Sequence, residues 1–104
     1  MVKITAKVAE RMLGEAPNGK QFYCIDGRVV KNLLELELAL KEMSEETFCY
    51  HSNETKSDFS NWVKDVIGDE KLSRDLQKSA GRTRAVKKVA DRIAWLSSKT
   101  MANS

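Results

Sequence analysis

The 104-residue sequence predicts a mainly α fold: a compact bundle of five to six helices with a short β-hairpin near the N-terminal third. Three observations predict it. Apolar residues recur at three- and four-residue steps along most of the chain. Capping and breaking residues punctuate those runs. One Asp-Gly pair, Asp26-Gly27, stands between two short runs of aromatic and β-branched residues, a hairpin signal because glycine accepts the positive φ of tight turns.

The first segment, residues 3–13, fits two periods. Val2, Ile4, Ala6 and Val8 alternate as in a strand, whereas Ile4, Val8 and Met12, with Ala9 and Leu13, repeat as in a helix. Gly14 and Pro17 just beyond favour a helix that stops there. Residues 15–20 form a loop with an Asn18-Gly19 turn. The hairpin strands are expected at Gln21–Ile25 and Arg28–Val30, lying against helices because an isolated two-stranded hairpin is marginal in water. Asn32 caps the next helix with Glu35 in the capping-box position. Leu33, Leu36, Leu40 and Met43 form its buried stripe, Glu37 and Lys41 an i,i+4 pair. Leu34 and Leu38 widen the stripe and predict cover on two sides. Ser44 begins a short helix that carries Phe48, Cys49 and Tyr50 to His51.

The stretch Phe48–Gly68 gathers most of the aromatic residues and the one histidine. Ser57 is placed as an N-cap, Asp58 at the positive end of the helix dipole, and Phe59, Trp62, Val63 and Val66 as one apolar stripe that Ile67 widens. Gly68 closes this helix in the left-handed conformation. Asp69 caps a further short helix with Leu72 and Leu76 on one side, Ser79-Ala80-Gly81 breaks it, and a final helix runs from about Arg82 to Ser98. The expected organisation is one domain over 1–99 with a frayed tail over 100–104.

Composition narrows the function classes. The sequence is 41% hydrophobic and 32% charged, and no apolar run approaches the roughly 20 residues needed to span a bilayer. The charged start lacks a signal-peptide core, so an intracellular, cytoplasmic protein is expected. Cys24 and Cys49 belong to no CxxC pair and, in a reducing compartment, read as small buried hydrophobes. No glycine-rich phosphate loop is present, and no metal site or cofactor is expected. The net charge of +3 is unevenly spread: residues 1–70 hold 9 Lys/Arg against 13 Asp/Glu, and residues 71–104 hold 9 against 2. An acidic body with a basic end points to an anionic partner.

The residues Phe22, Asp26-Gly27, Leu34-Glu35-Leu36, Tyr50-His51, Asp58-Phe59, Trp62-Val63 and Asp65-Val66 form a pattern. It resembles a family of small archaeal and bacterial domains of unknown function, marked by an aromatic strand ending in Asp-Gly, a Tyr/His-His pair and Asp-Phe-x2-Trp-Ile/Val-x-Asp-Val. The resemblance covers about residues 4–76. It implies an intracellular domain, found alone or appended to larger proteins, and no particular activity. The basic end lies outside it.

Two constellations bear on chemistry. His51 between Cys49 and Asp58 has the residue types of a nucleophile–base–orienter set, but the spacing places Cys49 and His51 on different sides of a helix. A structural His51 partnered by Asp58 is the expectation, and no enzyme is predicted. The last helix places Val86, Val89, Ile93 and Leu96 on one side. Arg84, Lys87, Lys88 and Arg92 lie opposite with Trp95 and with Asp91 among them, Arg82 falls nearer the apolar edge, and Lys78 and Arg74 extend the positive area from the preceding helix. This is the candidate binding surface: Arg84, Lys87, Lys88, Arg92, Trp95, Lys78 and Arg82 for nucleic acid. A protein-interaction or homodimeric module using the same face around Trp95 is the alternative. A solvated face, with Trp95 tucked against a neighbouring helix or covered by Arg side chains, is the third reading.

Overall fold

The computed structural model describes residues 4–101. Helix α1 (Ala6–Leu13) starts where the Thr5 hydroxyl accepts the Val8 N–H, and buries Ala9 and Met12. The helical period therefore prevails over the strand-like one, while Val2 and Lys3 lie outside the described residues. Strands β1 (Phe22–Tyr23) and β2 (Val29–Val30) pair antiparallel, with Phe22 opposite Val30 and Tyr23 opposite Val29. They are shorter than the sequence predicts. The turn reaches back to Cys24, whose N–H bonds to Arg28 O, and Gly27 takes φ 98°, so the ladder has little length left. Phe22 and Val30 face the core, whereas Tyr23 and Val29 face outward.

Helix α2 (Leu33–Glu42) is capped by the Asn32 side chain on the Glu35 N–H, while the Glu35 carboxylate accepts the Lys31 N–H. Leu33, Leu36, Leu40 and Met43 are buried as predicted. Leu34 and Leu38 are not: they are 64% and 54% exposed, because the molecule covers α2 on one side only. Helix α3 (Glu45–His51) follows with Ser44 capping Thr47. The predicted central helix divides in two. Helix α4 (Asp58–Trp62) passes directly into a π-helical turn, Val63–Ile67, which ends at Gly68 in the left-handed conformation (φ 83°). The wider turn carries Ile67 into the core and leaves Val66 half-buried, which shifts the end of the predicted stripe by one residue. Ser57 makes no capping bond; its Oγ is buried without a hydrogen-bond partner among the described residues.

Helix α5 (Glu70–Lys78) is capped by Asp69, and helix α6 (Arg82–Met101) runs on past Ser98 through Thr100. Residues 102–104 of the expected tail lie outside the described residues. Helix α6 packs against α1, α2 and α5, so its buried side is Ala85, Val89, Arg92 and Leu96, with Val86 and Ile93 on the flank. The aromatic heart lies between the hairpin and α4. Phe22 meets His51, Phe59 and Trp62 with ring centroids 5.1, 5.2 and 6.1 Å away, and Phe59 stacks on Phe48 at 5.8 Å. The chain is pinned on either side of β1 by side chains: the Trp62 indole N–H donates to Lys20 O (2.8 Å), and the Ile25 N–H donates to His51 Nε2 (3.0 Å). These bonds supply the marginal hairpin with the partners it lacks internally. Among the described residues no helix is long and apolar enough to cross a membrane.

Candidate nucleic-acid interface

The basic end folds into two helices joined by the Ser79-Ala80-Gly81 break, where Gly81 takes φ 100°. That reversal sets the end of α5 beside the start of α6. Lys78, Arg84, Lys87 and Lys88 thereby line one open notch, with Asp75 and Ser79 at its base. Lys87 pairs with Asp91 at 3.1 Å, and Asp75 pairs with Lys71 at 2.8 Å. Among the described residues Lys78, Arg84 and Lys88 have no ion-pair partner.

A larger groove adjoins the notch and shares Asp75 and Lys88 with it. Helices α1, α5 and α6 line it, with Ile4 and Val8 on one side and Trp95 on the other. Trp95 is 40% exposed. Its ring lies 4.5 Å from the Arg92 guanidinium and 5.0 Å from the Lys99 ammonium, distances at which cations are attracted to an indole face. The indole is thus covered by cationic side chains, as the third reading of this face expects.

Two predicted contact residues are placed otherwise. Arg92 is 8% exposed, and its Nε and Nη2 donate to the two carboxylate oxygens of Asp69 at 2.7 and 2.9 Å. Asp69 is fully buried and also accepts the Leu72 N–H, so one carboxylate caps α5 and ties it to α6. Arg82 turns back into the fold. Its Nη1 donates to Leu40 O and Lys41 O, both at 2.9 Å, and its Nε to Glu45 Oε1 at 2.9 Å. It closes the orphan carbonyls at the end of α2 and joins three helices. Both guanidiniums use most of their donors inside the fold. A signal for Arg92 was present in the sequence: at about 100° per residue it stands about 60° from Val89 and 40° from Leu96, on the core side of the wheel. For Arg82 the wheel gives only its place nearer the apolar edge; its acceptors lie some forty positions away.

His51 is 4% exposed and both ring nitrogens are engaged. Nε2 accepts the Ile25 N–H, so the proton resides on Nδ1, which donates to Asp58 Oδ2 at 2.9 Å; Lys56 reaches the same oxygen at 3.2 Å. This arrangement orients a ring that holds the hairpin, and leaves no nitrogen for a substrate. Cys24 is buried as expected, and burial pushes its pKa up, but Cys49 is an exposed free thiol, because it lies on the outer side of α3. Among the described residues no three His, Cys, Asp or Glu side chains gather in a group able to hold a metal.

Comparison of the chain with protein-family models, with curated proteins and with solved structures gave no match. Function is therefore read from the chain's own residues.

Proposed function

We propose that this protein is a non-catalytic binding module that holds nucleic acid by its phosphate backbone at the α5–α6 notch. The observation that carries the reading is the convergence of Lys78, Arg84, Lys87 and Lys88 around one opening, three of them without an ion-pair partner among the described residues. Cations so placed contact phosphates without reading bases, so little sequence preference is expected. Arg82 and Arg92 serve the fold that presents the notch, and Trp95 stands beside it.

Fluorescence anisotropy with labelled oligonucleotides tests this. Three to four phosphate contacts predict an affinity that falls about 20- to 50-fold for a single strand, and about 40- to 150-fold for a duplex, between 50 and 200 mM salt. Arg84→Glu/Lys88→Glu abolishes binding in this account, because neither side chain is tied to a partner in the protein. Binding that is unmoved by salt, or retained by this variant, contradicts it.

A further inference from the structure

We infer that the nucleic acid taken by this face is single-stranded, with its phosphates at the notch and an unstacked base in the adjoining groove against Trp95. This rests on the nucleic-acid reading above and narrows it.

Shape is the first support. A protein reads a duplex by inserting a helix or ribbon into its groove. Helix α6 packs against α1, α2 and α5, and its exposed cations line two open depressions between helices. A flexible strand can follow both depressions, whereas a duplex, stiff over about 150 bp, meets only the outer cations. The groove measures about 1260 Å³, more than the roughly 300–1,000 Å³ of sites built for small molecules. Lys88 lies on both the notch and the groove, so one strand reaches from the first into the second.

Chemistry is the second support. The groove joins the apolar Ile4 and Val8 to an aromatic ring and to Arg11, Arg74, Lys88 and Lys99, which have no ion-pair partner among the described residues, with the Glu70 and Asp91 carboxylates among them. A duplex backbone has no use for the apolar part, whereas unstacked bases do. The two tryptophans differ in a telling way. The Trp62 indole N–H donates to Lys20 O, while that of the half-exposed Trp95 has no acceptor among the described residues and is free for a base oxygen or nitrogen. The cations on Trp95 also differ. Arg92 is fixed from below by Asp69. Lys99 has no ion-pair partner among the described residues, and a swing of its flexible stem uncovers the ring and delivers its charge to a phosphate.

The test compares a labelled oligothymidylate with a duplex of equal length, at equal low salt, on the full chain. The expected result is at least tenfold tighter binding of the single strand. Trp95→Ala, checked for folding by circular dichroism, is expected to lower single-strand affinity about tenfold to a hundredfold and to leave duplex affinity unchanged. Trp95→Phe, which keeps a ring, retains most of the affinity. Arg84→Glu/Lys88→Glu lowers binding of both forms. Equal affinity for the two forms, or single-strand affinity unmoved by Trp95→Ala, overturns the single-strand inference and leaves phosphate binding standing. Binding of neither form removes both readings.

Discussion

Replacing Arg92 with alanine is expected to destabilise the protein by about 3–5 kcal/mol, the cost of removing one partner from a buried ion pair. The magnitude follows from what is left behind. Asp69 is fully buried, and without the guanidinium it keeps only the bond from the Leu72 N–H, too little for a carboxylate away from water. The lost stem also uncovers the lower side of Trp95. A domain of this size has about 5–15 kcal/mol in total, so the midpoint of urea unfolding should fall by a large fraction. The double variant Asp69→Asn/Arg92→Met removes both charges, keeps a capping side chain, and should recover most of the loss. Urea unfolding of the single and double variants, followed by circular dichroism, measures the coupling directly. An Arg92→Ala variant within about 1 kcal/mol of the parent would refute the reasoning and return Arg92 to the binding surface.

Three further outcomes are expected. Arg82→Ala should cost about 1–3 kcal/mol, because it frees the carbonyls of Leu40 and Lys41 at the end of α2, yet leave the salt dependence of binding unchanged; urea unfolding and anisotropy on the same variant check both halves. Ellman's reagent at neutral pH should titrate Cys49 alone in the native protein and Cys24 only after unfolding, since burial both shields the Cys24 thiol and raises its pKa. The Asp26 carboxyl is held below the usual carboxylate range, first by the Arg28 backbone N–H and then by the Cys24 thiol and the Arg28 guanidinium. Its folded pKa lies below its unfolded one, so its contribution is present above about pH 4 and is lost as pH falls through the folded value; the stability of Asp26→Asn should accordingly decline less steeply in acid than that of the parent.

The architecture was largely legible because its signals are local. Asn32, Ser44, Asp69 and Gly68 cap or close helices where the sequence places them, and Asp26-Gly27 turns the hairpin. What escaped the sequence reading depends on tertiary partners. The π turn at Val63–Ile67 has no residue signature, and it moved the buried position from Val66 to Ile67. Leu34 and Leu38 are apolar enough to predict a second covering layer that the molecule does not supply. The site was half legible. Lys78, Arg84, Lys87 and Lys88 are brought together, but a helical wheel shows only the direction of a side chain and not its reach. Arg82 folds back to carbonyls on α2, and Arg92 turns under Trp95 to a carboxylate that looked like a cap alone. A long cation beside an apolar stripe finds a buried partner when the neighbouring helix ends in one.

Chemical-shift mapping tests the central claim most directly. The isotope-labelled protein would be titrated with an unlabelled oligothymidylate at low salt. The account predicts that the amides of Ser79, Gly81, Arg84 and Lys88, and the indole N–H of Trp95, shift with the oligonucleotide and return when salt is raised. Shifts confined to the exposed residues of the hairpin and α2, at Tyr23, Val29, Leu34 and Leu38, or no shifts at all, would contradict it.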